Sequence, residues 1–410
     1  MMRCGIDFGT SNTSMAVYDE GLKKSRLMIL ENDCMTIPTA LFFAEDNQSV
    51  LFGRQAIQAY LDGVDGRFMR SMKRVLGTSL MDGTVFINGT RTTFDYVIAR
   101  FITHIKKQAE ISLQDDLQEV TLGRPVFFQD DVDADRRAEV HLRQIAEQCG
   151  FKDVSFQYEP IAAALAHERN LNKEQLALVV DIGGGTSDFS VIRLDPSFKR
   201  GRDRKQDILA NNGIRIGGND CDKAVNMDLA MPLLGLHSLY GDKNLDMPVL
   251  IYHELSEWAK INWCYTPQNL NKTRELLQDA HEPKKLERLE SVLEYQAGHR
   301  ILNLAEETKI RLTLDTVADV SFDFLEQGLS ASLSQSRMNA LLDRVLEPVH
   351  AKMLDVLQMA NVTPENISAV ILTGGSTALP VFQQWVAKYF VKADILQEDR
   401  LGSVGLGLVL

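Results

Sequence analysis

Asp7-Phe8-Gly9-Thr10-Ser11-Asn12-Thr13-Ser14 returns 174 positions later as Asp181-Ile182-Gly183-Gly184-Gly185-Thr186-Ser187-Asp188. Apolar residues precede each copy, Cys4 and Ile6 in the first and Leu178, Val179 and Val180 in the second, and an alternating run follows. The pattern reads as strand, tight glycine turn, strand, with an aspartate closing the first strand. Glycine lets the backbone approach an anion, while threonine and serine hydroxyls and exposed amides supply donors. The two aspartates supply negative charge for a hydrated divalent cation. One such turn is commonplace. A matched pair is what a clamp on a metal-bound polyphosphate requires, one hairpin on each side.

The rest of the composition narrows the class. The 410 residues exceed one average core and predict two or three domains. With 45% apolar and 24% charged residues, the chain has the make-up of an ordinary soluble globular protein. A net charge of −12 argues against a general nucleic-acid surface, which needs a basic stripe. It leaves a nucleotide open, because that needs only a local pocket of amides, a lysine and a metal. Asp7 interrupts the N-terminus before the apolar core of a signal peptide, and no apolar run approaches the roughly 18 residues of a membrane span. Neither nucleic acid nor membrane is an expected partner. Cys4, Cys34, Cys149, Cys221 and Cys264 are scattered and form no Cys-x-x-Cys pair, which predicts reduced thiols in a cytoplasmic protein. The eight histidines show no metal-ligand spacing, so structural zinc is not expected.

Along the chain, residues 1–60 read as β-rich, with short runs at Met15–Tyr18, Leu27–Leu30 and Ala40–Phe43. From Asp95 to about Ser112 the apolar spacing is helical, through Val97, Ile98, Phe101, Ile102 and Ile105. Val120–Leu122 and Val126–Phe128 are strand material around Gly123-Arg124-Pro125. A second helix, capped by Asp133 or Asp135, carries the stripe Ala138, Leu142, Ile145, Ala146 and Cys149 and stops at Gly150. Pro160 suits a first helical position, making Glu159 the expected N-cap of Ile161–His167. Residues 195–212 read as a long hairpin loop before Ile214-Arg215-Ile216 and the turn at Gly217-Gly218. From Met247 to Leu314 the chain reads as almost wholly helical. Leu286, Leu289 and Leu293 there suit either a subdomain helix or a partner-binding surface. Val370-Ile371-Leu372 reads as a buried strand, followed by Thr373-Gly374-Gly375-Ser376-Thr377 and a helix starting near Pro380. Strands alternating with helices argue for an α/β protein.

Four glycine-rich turns thus stand in order, at Asp7, Asp181, Gly217 and Gly374. They resemble the phosphate-1, phosphate-2, connecting and adenosine segments of the actin, Hsp70 and sugar-kinase superfamily. The resemblance narrows to Hsp70-type nucleotide-binding domains at Gly5–Asn12, at Lys73-Arg74-Val75-Leu76-Gly77, at Pro125–Asp130 and at Glu159-Pro160-Ile161-Ala162-Ala163-Ala164. It runs from about residue 3 to the C-terminus and is weakest between 225 and 300; in its departures and short length the chain resembles the YegD-type members more than a full chaperone. It implies a two-lobed actin-like ATPase fold, built from duplicated ribonuclease H-like domains with a nucleotide cleft between the lobes. Lobe I would comprise 1–170 and 393–410, and lobe II 171–392 with a largely helical subdomain over about 220–312. The chain ends where the family's nucleotide-binding domain ends, so no peptide-binding domain and no ordinary client binding are expected of this polypeptide alone.

The same resemblance assigns roles. The implied cofactors are ATP or ADP and Mg2+, the metal held through water by Asp7 and Asp181 with Glu159 and Asp188 nearby. Lys73 would point at the γ-phosphate and orient the attacking water. Gly9, Thr10, Ser11 and Asn12 on one side, with Gly183, Gly184, Gly185 and Thr186 on the other, would hold phosphate oxygens. The catalytic set is then Lys73, Glu159, Asp181 and Thr186. Pro125 matches a hinge that relays nucleotide state outward. Glu306, Lys309 and Thr313 match the helix that contacts adenosine. Gly217, Gly218, Gly374, Gly375 and Ser376 would line the nucleotide, with Asp399 near the ribose and adenine.

Two departures bear on the base. The arginine that packs on adenine after the helix lysine is Ile310 here, with Arg311 one place on, and the second stacking arginine is Ala378. Each lost stack removes roughly 0.5–2 kcal/mol, which predicts weaker or less base-selective binding. Four readings follow: a slow Mg2+-dependent ATPase, monomeric, whose nucleotide state signals to an unidentified protein partner or client; a small-molecule kinase; a nucleotide-dependent filament former; and a degenerate, non-hydrolysing nucleotide sensor. Lys73 and Glu159-Pro160 favour the first, since a kinase would need an aspartate base such as Asp188 beside a substrate hydroxyl.

Overall fold

The computed structural model describes residues 2–19, 21, 24–45, 49–129, 131–197, 204–258, 260–397 and 402–410. Among them the two hairpins found in the sequence each sit at the centre of a large sheet. The first sheet contains β1 (Arg3–Phe8), β2 (Asn12–Asp19), β3 (Lys24–Leu27), β4 (Thr36–Pro38), β5 (Glu119–Arg124) and β6 (Asp153–Tyr158). Its order is β6-β5-β1-β2-β3, with β4 also pairing with β2. The second contains β7 (Gln175–Ile182), β8 (Ser187–Leu194), β9 (Ile208–Ile214), β10 (Ala369–Thr373) and β11 (Asp394–Leu396), in the order β11-β10-β7-β8-β9.

The two sheets repeat each other strand for strand. β1 runs antiparallel to β2 and parallel to β5; β7 runs antiparallel to β8 and parallel to β10. The registers repeat as well: Asp7 faces Ser14 and Phe8 faces Thr13, while Asp181 faces Asp188 and Ile182 faces Ser187. The duplicated ribonuclease H-like α/β fold expected from the sequence is present.

Helices cover the sheets where the apolar stripes predict. α1 (Phe94–Leu113) buries Val97, Ile98, Phe101, Ile102 and Ile105, and Thr93 caps it by accepting from Tyr96 N. Each buried side chain contributes about 1.5–3 kcal/mol against about 1 kcal/mol for the cap, so packing decides this helix. α2 (Val132–Gln148) buries Ala138, Leu142, Ile145 and Ala146, and Gly150 beyond it has φ +88°. α3 (Glu159–Glu168) lies against α6 (Ser403–Leu408), below which sits β1. Glycines permit this contact. A Cβ on Gly407 would lie 1.8 Å from Ala162 O, and one on Gly5 would lie 2.5 Å from Leu408 Cβ. Ile161, Ala162 and Leu165 share a core with Val179, Ile192, Ile371, Val404 and Leu408, which ties α3 and α6 to the second sheet.

The chain divides into two compact units. One comprises Met1–Ile214, Ala351–Thr377 and Val386–Leu410 and holds both large sheets; the other comprises Arg215–His350 and Ala378–Trp385. These limits differ from the expected lobes, which gave each sheet its own lobe, because α3 and α6 pack on both sheets. In the second unit α4 (Gly218–Leu229) packs on α5 (Gly298–Arg311). Helices dominate Met247–Leu314 as expected, and Leu286, Leu289 and Leu293 are buried on the helix Pro283–Glu294, which makes them core of this unit.

Five local expectations are corrected. Val126–Phe128 is not a strand: Phe128 N donates to Asp135 Oδ1, and the Arg124 guanidinium reaches the carbonyls of Pro125 and Val126. The cap of α2 is Asp131, which accepts from Ala134 N, rather than Asp133 or Asp135. Ile208–Asn212 lies in β9 rather than in a loop, and the strand expected at Leu27–Leu30 is instead β3, ending at Leu27. Glu159 is the first residue of α3 rather than its N-cap, because its carboxylate is engaged elsewhere. No helix among the described residues is long and apolar enough to cross a membrane.

Candidate functional site

The turns that end β1 and β7 are closed by their own backbone. Gly9 N donates to Asp7 O (3.1 Å), and Gly183 N donates to Thr186 O (3.0 Å). A side chain at Gly9 would strike Asn12 O, 2.0 Å from its Cβ position. Thr10, Ser11, Asn12, Gly184 and Thr186 remain partly exposed on these turns. Beside the second turn, Gly374 takes φ +80°, and its missing Cβ would lie 2.5 Å from Asp181 Oδ1. Ser376 Oγ donates to Gly183 O at 3.4 Å, while Gly375 is exposed. The structure therefore brings the Gly183–Thr186 turn and the Gly374–Ser376 turn together.

Lys73 stands on a single 3-10 turn, Met72–Val75, entered through Ser71 at φ 59°. Its Nζ donates to Glu159 Oε1 at 2.7 Å, and the two side chains are only 12% and 13% exposed. Burial alone would lower the Lys73 ammonium, but Glu159, Asp7 and Asp181 together raise it. Burial, then the Glu159 charge, pushes Asp7 up to about 7 against the pull of Lys73. Asp181 is pushed to about 8 by burial and by Asp188, Glu159 and Asp7. Burial also raises Asp188, to about 6, while a hydrogen bond with Thr186 opposes the rise. These mutual influences place Asp7, Glu159, Asp181 and Asp188 around one ammonium.

Crowded carboxylates that resist ionisation are unfavourable unless a cation relieves them. Among the described residues, no three His, Cys, Asp or Glu side chains converge as direct metal ligands. The donor set suits a hydrated divalent ion held through its water shell. In that sense the residues present fit Mg2+.

The candidates in the second unit form their own cluster. Gly217 and Gly218 open α4, and Gly217 N donates to Asp220 Oδ2 (2.9 Å). On α5, Lys309 Nζ pairs with Asp222 Oδ1 at 2.6 Å and reaches Gly218 O at 3.4 Å. Burial would lower its ammonium, but Asp222 and Glu306 raise it. Asp222 was not singled out in the sequence, where an acid inside a helix carries no signal of its own. Thr313 Oγ1 donates to Ile310 O (2.7 Å), and Ile310 is 56% exposed. Asp399 lies outside the described residues.

Two further groups were missed. Thr39 Oγ1 donates to Gly9 O and meets Thr13 Oγ1, each at 2.8 Å, bracing the first turn. Arg124 pairs with Asp135 (2.8 Å) and with Glu139, and lies 5.3 and 5.2 Å from the rings of Phe128 and Tyr158. Gln129 Nε2 donates to Leu76 O (2.9 Å), joining the Pro125 segment to the stretch just after the Lys73 turn.

Comparisons with known proteins give the family. A family model described as Hsp70 protein matches residues 3–231 and 275–400. The chain is similar to the chaperone protein DnaK of Metamycoplasma hominis, 26% identical over 98% of this chain and 58% of that protein. It is also similar to the chaperone protein HscA homolog of Actinobacillus pleuropneumoniae serotype 5b, 25% identical over 99% of this chain and 57% of that one. The chain spans somewhat more than half the length of the curated relatives it matches.

Proposed function

Since this chain belongs to the Hsp70 family, we propose that it binds ATP and ADP with Mg2+, hydrolyses ATP slowly and signals its nucleotide state to a protein partner or client. The observation that carries this reading is the Lys73–Glu159 pair, set among Asp7, Asp181 and Asp188 beside the glycine turns. Asp7, Asp181, Glu159 and Asp188 would hold Mg2+ through its water shell; when bound, the metal offsets charge on the phosphate chain. The turn residues 9–12 and 183–186 bind phosphate oxygens. Lys73 orients a water whose oxygen bonds to the γ-phosphorus as the bond to the bridging oxygen breaks. The electron pair stays on ADP, and the water's proton passes to one of the carboxylates around Lys73. We assign the base side to Gly217, Gly218, Glu306, Thr313, Gly374, Gly375 and Ser376, with Lys309 bracing α4 against α5 through Asp222. The proposed lobes, 1–170 with 393–410 and 171–392, would close on the nucleotide. A ligand that closes them favours one conformation, which is the physical requirement for a switch.

The test is single-turnover ATP hydrolysis by the purified chain, with Mg2+ or with EDTA and no second substrate. Slow release of ADP and phosphate that requires Mg2+ supports the proposal. Tight binding without hydrolysis would favour a small-molecule kinase awaiting its acceptor, and nucleotide-dependent pelleting would favour a filament former.

A further inference from the structure

The residue after Lys73 points to an additional phosphate ligand. Arg74 shares the short turn with Lys73, and its guanidinium lies across the α-carbon of Gly185 in the second phosphate turn. A Cβ on Gly185 would fall 1.6 Å from Arg74 Nη2 and 2.6 Å from Arg74 Cζ. Gly185 is not among the glycines at positive φ, so its backbone conformation is open to any residue. The guanidinium occupies the room that a side chain at this position would take.

Charge explains what that guanidinium is for. Lys73 is already paired with Glu159 and stands among four carboxylates. Arg74 is exposed and makes no ion pair among the described residues. An incoming triphosphate adds negative charge to a site already rich in it, and a free guanidinium at the rim opposes this. The planar fork of arginine binds two phosphate oxygens at once, which an ammonium does not.

We propose that Arg74, seated on Gly185, is a second cationic ligand of the terminal phosphate and makes the chain prefer nucleoside triphosphate over diphosphate. This rests on the nucleotide reading above. Lys73 serves the reacting water and Glu159; Arg74 reads whether the third phosphate is present.

The experiment is calorimetric titration of the full chain with Mg2+-ADP and with a non-hydrolysable Mg2+-ATP analogue. Wild type, Arg74→Ala, Arg74→Lys and Gly185→Ala are compared. Arg74→Ala should weaken the analogue about 10–100-fold, as loss of charge-assisted hydrogen bonds does, while ADP changes less than about 3-fold. Arg74→Lys should recover only part of the loss. Gly185→Ala, whose methyl group takes the guanidinium's room, should weaken the analogue as well. The melting temperature of nucleotide-free Arg74→Ala should match wild type. Equal weakening of both ligands, or no change in either, overturns the inference while leaving nucleotide binding standing. A wild-type chain that binds neither ligand overturns the nucleotide reading and this inference with it.

Discussion

Lys73 Nζ and Glu159 Oε1 meet at 2.7 Å across 86 residues of sequence, joining a single 3-10 turn to the first residue of α3. Each side chain is nearly enclosed, so neither charge is tolerated without the other. Lys73→Ala should therefore abolish turnover, by at least about 100-fold, while nucleotide binding stays largely intact. The turn amides and hydroxyls proposed to hold phosphate do not involve this ammonium. Single-turnover hydrolysis alongside a binding titration separates the two effects, and unchanged turnover removes the assigned role.

Asp181 gives a pH dependence of defined sign. In the unfolded chain its carboxyl releases its proton near 3.8, whereas the folded site retains it to about 8. Between those values the folded state binds the extra proton, so stability in the absence of metal falls as pH rises and levels off above the window. Asp7, held up to about 7, acts in the same direction. Asp181→Asn should remove the largest single share of the slope, leaving those of Asp7 and Asp188, and stabilise the metal-free protein at pH 8 by a few kcal/mol, since a tenfold change in proton affinity is worth about 1.4 kcal/mol. The same variant should lose Mg2+-dependent nucleotide binding. Urea unfolding from pH 4 to 8, with and without Mg2+, tests both statements. A variant that still binds as tightly as wild type in Mg2+ contradicts the metal assignment.

The hairpins were legible because everything that makes them is local: alternation, glycine turns and an aspartate at each strand end. Their registers, Asp7 to Ser14 and Asp181 to Asp188, follow from the turn length that the repeat displays. Contacts across long stretches were not legible in that way. Nothing in spacing joins Lys73 to Glu159, and only family resemblance suggested that they share a site. Gly185 read as one more turn glycine, although the Arg74 guanidinium lies where its side chain would be. Val126–Phe128 read as a strand because three apolar-leaning residues follow an alternating run. The hydrogen bonds of Arg124 and Asp135 to this backbone override that tendency. Glu159 read as a cap because helix starts favour acids, yet the nearby ammonium competes better for its carboxylate than backbone amides do.

Base selectivity should follow from α5. Ile310, exposed on that helix, offers no guanidinium face, and Arg311 is turned to Asp315 (3.8 Å) and Asp319 O (3.2 Å). ATP and GTP, and likewise ADP and GDP, should bind within about 2-fold of each other, because no cation–π stack separates the bases. Ile310→Arg should restore an adenine preference of roughly 2–30-fold, the range that a stack of 0.5–2 kcal/mol yields. Competition titrations with the four nucleotides measure it, and a strong adenine preference in the wild type removes the idea.

The crossing of α3 and α6 makes the fold and the site depend on one glycine. At Gly407 a methyl group would lie 1.8 Å from Ala162 O and 2.5 Å from Ala162 C, both backbone atoms that cannot rotate away. Gly407→Ala must therefore push the helices apart, at a cost of about 1–3 kcal/mol for an overpacked contact. The displacement also moves the start of α3, where Glu159 holds Lys73. Gly407→Ala should accordingly lower the urea midpoint and, in the fraction that remains folded, slow hydrolysis more than it weakens ADP. If hydrolysis by the folded fraction matches wild type while stability falls, the position of α3 does not control the Lys73–Glu159 pair.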